Sequence, residues 1–408
     1  NWDAERFSDS TRIAVFPSAW RGSRWWQYSQ VQNLEGILRA LKHEYNVDEN
    51  RVYVIGVSDG GIGTYFLGFR DPDPWAALLP FIASPEALTN DDIRADGPVY
   101  VPNLRNVPLY IVNGSLDPLY PARAVAADVA LFREAGVDVT FRPQPESGHD
   151  LRWWQSESPA IEEFIRDHVR DPLPDTLTWE TERTDRYARA FWVIVNEIGP
   201  VTGGHEFPPF DSIQPLPPTP SLGVRADPTS SAGVRILSVE LGSLGAVAGF
   251  VEGDVITTVN GTPTPTVRAL MEATAGASWG DTLRITARRP GLIRTLLVAI
   301  PEAQGSVRPP ERVVFDRPEP TGRIHVTRHD NTITVLSRNV RRYTLLLSPD
   351  QFDLSRPIRV TTNGRVSHDA VVQPDVATLL KWYSTDQDRT MLFAAELQVD
   401  VSAVAPPG

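Results

Sequence analysis

Gly56-Val-Ser58-Asp-Gly60 sets a serine between glycines, after the apolar run Arg51-Val-Tyr-Val-Ile-Gly56 and before the helical stretch Gly60 to Gly68. A serine hydroxyl becomes a nucleophile only when a base removes its proton, and a tight strand-to-helix turn lifts its Oγ clear of the backbone. The pattern is short, and an ordinary glycine-rich turn matches it equally well. Two later residues complete a possible set. Asp117 follows the apolar run Leu109-Tyr-Ile-Val-Asn113 and a turn, and His149 stands in the loop Glu146-Ser-Gly-His-Asp150 after the next strand. In that reading His149 takes the Ser58 proton and returns it to the leaving group, while Asp117 fixes the imidazole tautomer and stabilises the imidazolium. The backbone N–H of Asp59 supplies one oxyanion donor. Asp150 and Glu146 are alternative acids, but their place on the histidine's own loop suits a supporting or solvated role. Chemistry of this kind needs neither metal nor cofactor. His325 and His329 are four apart in what reads as strand and turn, too far apart for one small ion, so no metal site is expected.

These residues need elements to hold them. Arg12 to Pro17, Arg51 to Gly56, Trp75 to Ala83, Pro108 to Asn113 and Val137 to Arg142 read as short strands. Between and after them, Val31 to Tyr45, Ala122 to Ala135 and Pro159 to Val169 read as helices. Val31, Leu34, Ile37, Leu38, Leu41 and Tyr45 share one face at helical spacing. Strand alternating with helix predicts an α/β fold with a doubly wound parallel sheet, and such sheets build sites at their C-terminal edge, where Ser58, Asp117 and His149 all fall.

The chain has 408 residues, a net charge of −12 and no cysteine. That length suits two to four domains. An acidic balance argues against a nucleic-acid partner, and the lack of cysteine excludes disulfides, thiolate metal sites and a cysteine nucleophile. No apolar run is long enough to span a bilayer, so the chain reads as soluble.

Two proline-dense stretches, 201–218 and 304–319, read as linkers. They bracket a module at 219–303. Strands in 173–200, such as Thr178-Trp-Glu-Thr181 and Ala190-Phe-Trp-Val-Ile-Val195, are too few to stand alone. Pairing them with the strands of 320–402 (Thr332 to Leu336, Tyr343 to Leu347, Pro357 to Thr361, with a helix at Asp375 to Tyr383) predicts one β-rich, sandwich-like domain interrupted by the module.

Over residues 1–172 the chain resembles α/β-hydrolase serine esterases, in the branch of feruloyl esterases, polyhydroxyalkanoate depolymerases and dienelactone hydrolases. The resemblance rests on Tyr53-Val-Ile-Gly-Val-Ser-Asp-Gly-Gly61, Val112-Asn-Gly-Ser-Leu-Asp-Pro-Leu-Tyr-Pro121 and Gly148-His-Asp150. It implies a nucleophile at Ser58, a base at His149 and an orienting acid at Asp117. That family places three strands before the one read at Arg12 to Pro17, and a loop after the third gives the second oxyanion donor. The chain therefore looks N-terminally truncated, with a gap expected in its sheet and an activity that depends on what precedes Asn1.

Residues 219–303 resemble a PDZ domain of the bacterial, protease-associated kind. Ser221-Leu-Gly-Val224 matches a carboxylate-binding loop, followed by Gly242-Ser-Leu-Gly-Ala-Val-Ala-Gly249 and Glu252-Gly-Asp-Val-Ile-Thr-Thr-Val-Asn-Gly261. The resemblance implies that a peptide or protein C-terminus binds in a groove shaped by Leu222, Gly223 and Val224 with Val267 and Leu270. A spacer that has lost binding is the alternative. The resemblance also suggests a secreted or periplasmic bacterial protein.

Trp20, Trp25, Trp26, Trp75, Trp153 and Trp154 cluster in the sequence around the candidate site. Trp20, Trp25 and Trp154 are the candidates for an acyl or aromatic subsite, against the plainer reading that they pack loops onto the sheet. The resulting expectation is a serine carboxylester hydrolase with a peptide-binding module. A prolyl-oligopeptidase-like serine peptidase and a non-catalytic PDZ scaffold are the alternatives.

Overall fold

The computed structural model describes residues 12–20, 22–215, 221–227, 229–274, 277, 279–302 and 310–401. Its first layer is a four-stranded parallel sheet of β1 (Tyr53–Val57), β2 (Ala77–Phe81), β3 (Leu109–Gly114) and β4 (Val139–Gln144), in that order. Helices α1 (Tyr28–Glu44), α2 (Asp59–Arg70), α3 (Ala122–Glu134) and α4 (Trp154–Asp167) surround it. A parallel strand covered on both faces needs apolar residues at every position. β2 meets this requirement throughout, and β3 does so as far as Val112. Leu78, Leu109 and Ile111 enter the core shared with α2 and α3, whereas Ala77, Leu79, Phe81, Tyr110 and Val112 meet Ile161, Phe164 and Ile165 of α4.

Residues 12–17 are not a strand. Ile13, Val15 and Phe16 are largely exposed, and Arg12 pairs with Glu162 of α4. The β-branched run misled because a strand is defined by its partner, and no described strand pairs with this segment or with the outer edge of β1.

Next come β5 (Thr176–Thr181), β6 (Arg189–Ala190), β7 (Val193–Ile198) and β8 (Ser212–Ile213). A separate sheet follows, built from β9 (Val224–Ala226), β10 (Val234–Val239), β11 (Val255–Val259), β12 (Thr262–Pro263), β13 (Thr282–Arg289) and β14 (Leu292–Ala299). Helices α5 (Leu244–Ala248) and α6 (Val267–Thr274) belong with it. The chain returns through β15 (Arg312–Val313) to β16 (Gly322–His329), β17 (Thr332–Arg338), β18 (Val340–Leu347), β19 (Ile358–Thr362), β20 (Arg365–Ala370), α7 (Val376–Asp386) and β21 (Ala395–Asp400).

Strand pairing crosses the middle of the sequence. β5 pairs antiparallel with β16, β7 with β18, and β8 with β15. The resulting sheets run β20-β19-β17-β16-β5 and β21-β18-β7-β6. Where the sequence suggests linkers, the described part is packed: Val201, Phe210, Ile213, Val314 and Phe315 all join the main core. That core is continuous from Phe66 and Phe132 to Trp179, Val335 and Leu345. The middle sheet has its own core around Ile236, Ile256, Ile285 and Val298.

Buried ions tie the later strands to one another and to the α/β layer. Glu180 is fully buried and takes Arg317 at 2.7 Å, Arg338 at 3.1 Å and the Thr321 hydroxyl at 2.6 Å. Arg170 meets Asp388 at 2.7 Å, and Arg70 meets Glu182 at 2.9 Å. No described helix is long and apolar enough to cross a membrane.

Candidate active site

Ser58 sits at the tip of the turn from β1 into α2, with φ 55° and ψ −117°. A left-handed φ at a non-glycine residue stores strain and is held only where surrounding contacts fix it. Here the Ser58 N–H donates to the Phe81 carbonyl at 3.0 Å, and its own carbonyl accepts from Ile62 N–H at 3.0 Å. A Cβ at Gly56 would collide with the Gly60 carbonyl and the Thr64 hydroxyl, and one at Gly61 with Ala83 and the Phe81 carbonyl. Gly60, by contrast, has open space where its Cβ would be. The crowding around the serine therefore falls on Gly56 and Gly61, not on both glycines of the motif.

Ser58 Oγ lies 2.9 Å from His149 Nε2, and His149 Nδ1 lies 2.8 Å from Asp117 Oδ2. An ionised carboxylate only accepts, so the proton belongs on Nδ1 and Nε2 is left free to accept from the serine. Asp117 is 1% exposed. Its Oδ1 accepts from the N–H groups of Leu119 at 2.8 Å and Tyr120 at 3.0 Å, which fixes the carboxylate plane. The two loops are locked together. Leu116 N–H donates to the Ser147 carbonyl at 3.0 Å, and a Cβ at Gly114 would strike the Ser147 and Gly148 carbonyls.

The alternative acids lie elsewhere. Asp150 is paired with Arg152 at 2.9 Å; burial works against its charge, but the Arg152 hydrogen bonds outweigh it and hold the carboxyl below the usual range. The Glu146 carbonyl oxygen accepts from Arg268. Asp59 opens α2 with its side chain exposed, so its backbone N–H belongs to the first turn beside Ser58.

Among the tryptophans, Trp154 meets Phe81 edge-to-face at 6.3 Å between ring centroids, and Phe81 is the residue whose carbonyl holds Ser58. Trp25 packs over Gly63 of α2, and Trp20 is 53% exposed. Trp26, Trp75 and Trp153 are buried in the packing. Three residues near the site lie in the block Val112–Pro121 but were given no role from the sequence. The Tyr120 ring lies 5.9 Å from His149, and burial, then the charges of Asp59 and Asp117, push its hydroxyl up. The Asn113 side chain donates to the carbonyls of Ala83 and Tyr120, both at 3.0 Å, tying β3 to the neighbouring loops. Gly114 is the third, and its close approach to the Ser147 and Gly148 carbonyls is not written in its local pattern.

His325 bonds the Thr178 hydroxyl at 2.9 Å, and His329 is exposed. Among the described residues no group of three or more His, Cys, Asp or Glu could hold a metal ion.

In the middle sheet, β9 is an edge strand, and the Leu222 carbonyl accepts from Gly245 N–H at 2.8 Å. Gly223 has φ 65°, a backbone that favours glycine, and a Cβ there would meet Ser243. Leu222, Val224 and Ala226 face the small core that Val267 and Leu270 enter from α6.

Residues 220–300 match the PDZ domain family, and this stretch is a PDZ domain. Among solved structures, the chain is similar to the PDZ domain of HtrA3 bound to a phage-derived ligand, at 25% identity over 19% of this chain and 82% of that one, with a TM-score of 0.18. It is also similar to Arabidopsis thaliana SOBER1, at 20% identity over 34% of this chain and 62% of that one, with a TM-score of 0.27. A thermostable esterase matches at 22% identity over 34% of this chain, with a TM-score of 0.28. The chain spans 62% of SOBER1 and 36% of that esterase. Comparison with curated proteins found no match.

Proposed function

We propose that the chain is a serine carboxylester hydrolase that works through an acyl-enzyme, joined to a peptide-binding PDZ domain. The observation that carries this reading is the hydrogen-bonded line from Ser58 Oγ through His149 to Asp117, at 2.9 and 2.8 Å. In the reaction, Ser58 Oγ attacks the acyl carbon as His149 Nε2 takes its proton. The oxyanion that forms faces the start of α2 and the Asp59 N–H. His149 then passes the proton to the departing alkoxide, the ester C–O bond breaks, and water releases the acid by the same steps in reverse.

Strand pairing across the PDZ domain supports one β-rich unit from 173–200 and 320–402, with the domain at 219–303 inserted in it after an α/β unit at 1–172. The protease-associated character of the PDZ sequence supports a secreted or periplasmic setting.

A fluorophosphonate probe tests the chemistry. It is expected to label Ser58, with labelling lost in Ser58→Ala and strongly slowed in His149→Ala. A folded chain that does not react, yet binds peptide, makes the protein a scaffold. Turnover of peptide amides with poor turnover of p-nitrophenyl esters makes it a peptidase.

A further inference from the structure

Helix α6, one wall of the PDZ groove, also touches the loop that carries His149. Arg268 donates through Nη2 to the Glu146 carbonyl at 3.3 Å, three residues before His149. One turn along α6, Glu272 accepts from Arg268 Nε at 2.5 Å. On the other side of His149, the Arg152 guanidinium is held above its ordinary value first by its hydrogen bond to Asp150, with the charge of Glu272 adding to it. Arg268 and Glu272 are four apart and share a helix face. That face lies against residues 146–152.

Chain direction within the PDZ domain decides which part of a bound peptide reaches this contact. PDZ domains take an extended peptide as an added strand, with its terminal carboxylate in the loop before the edge strand. Here that loop is Ser221–Val224, and a peptide ending there runs antiparallel to β9, its earlier residues lying toward Ala226. The start of β9 is beside the end of β10, where Glu240 N–H donates to the Gly223 carbonyl at 2.8 Å. The far end of β9 is beside the start of β10, where Asp227 N–H donates to the Arg235 carbonyl at 2.8 Å. Helix α6 begins at that far end, because Gly233 N–H donates to the Pro265 carbonyl at 3.1 Å, two residues before the helix. A bound peptide thus leaves the groove at the end of α6 where Arg268 meets the His149 loop.

We infer that the PDZ groove holds the C-terminus of the substrate itself, and that the substrate class is a polypeptide bearing an acyl ester on a side-chain hydroxyl upstream of a free C-terminal carboxylate. This rests on the hydrolase reading of Ser58. Ser58 Oγ bonds to the acyl carbon, the bond from that carbon to the side-chain oxygen breaks, and His149 delivers the serine proton to that oxygen. Water then cleaves the acyl-enzyme, giving a carboxylic acid and a peptide with its hydroxyl restored. Anchoring the terminus makes the second encounter intramolecular, so its benefit falls on KM.

The test uses the full chain. Peptides with free, randomised C-termini are panned against the Ser58→Ala protein. The tightest binder is then synthesised with a serine O-butyrate at about four, seven or ten residues before its end, since an extended chain reaches roughly 3.4 Å per residue. Each ester is made as the free acid and as the C-terminal amide. At one spacing or more, the free acid is expected to exceed the amide by about tenfold or more in kcat/KM, through KM. The ester-free peptide should inhibit that reaction competitively and leave p-nitrophenyl butyrate hydrolysis unchanged. Equal rates for acid and amide at every spacing, or no binder in the library, overturn the inference and leave the hydrolase reading standing. Peptide binding without turnover of any ester, p-nitrophenyl butyrate included, overturns both.

Discussion

The α/β layer and the later β-strands share one apolar core, whereas the PDZ domain keeps its own. The first pair is also joined by a buried ion pair, Arg170 to Asp388, and by a buried hydrogen bond from the Glu180 N–H to the Asn103 side chain, so that neither half can shift without breaking charged or polar contacts. The PDZ domain meets the site through a surface contact, Arg268 to Glu146. The contrast teaches that position and stability are separable. Ser58, Asp117 and His149 lie in the unit with the shared core, and the unit that borders them has a core of its own.

The largest effect should come from Ser58→Ala, which is expected to lower ester turnover by about 10³-fold or more while leaving peptide affinity within about twofold. A change in peptide affinity would break the separation. Glu180→Ala should come next, because it leaves Arg317 and Arg338 facing an empty buried site. Such a change costs about 3–5 kcal/mol. Calorimetry should show the α/β and β transitions moving down together, with the PDZ transition in place; two independent shifts would mean the shared core is not one cooperative unit. Ile285→Ala, in the PDZ core, should cost about 2–5 kcal/mol and melt that domain first, with p-nitrophenyl butyrate hydrolysis persisting. Loss of hydrolysis together with PDZ melting would show that α6 props the His149 loop.

The smallest effect concerns the seam between the α/β and β units. Burial, against the pull of Arg189, pushes the Asp73 carboxyl up to about 6. The folded state then holds this proton more tightly than the unfolded chain does, so the stabilisation is present at low pH and is lost as pH rises through about 6. Asp73→Asn should leave urea stability at pH 4 nearly unchanged and raise it at pH 8 by about 1–3 kcal/mol. No gain at pH 8 would mean that Arg189 already neutralises the seam.

The meeting of Ser58, Asp117 and His149 at the candidate site was legible because each follows a strand, and a parallel sheet brings strand ends together whatever their distance in sequence. Periodicity likewise pointed to α1, whose described extent is Tyr28–Glu44, from Val31, Leu34, Ile37, Leu38 and Leu41. What escaped were features that depend on partners. Arg12–Pro17 has strand-forming residues but no described strand beside it. Gly61 and Gly114 matter through Ala83 and Ser147, which lie far along the chain. The Arg268 contact joins residues 122 positions apart, and no local pattern announces it.

The pairing of β5 with β16 has a consequence for how the chain folds. Thr176–Thr181 cannot find Gly322–Thr327 until the whole segment between them has been made. Closing so long a loop is entropically costly, and contacts of this range slow folding. The short ladder of Ser212–Ile213 with Arg312–Val313 brings together the two ends of the intervening segment. A PDZ domain that folds first, during synthesis, therefore shortens the path between β5 and its partner, and the order of folding follows the order in which each core becomes complete on the ribosome.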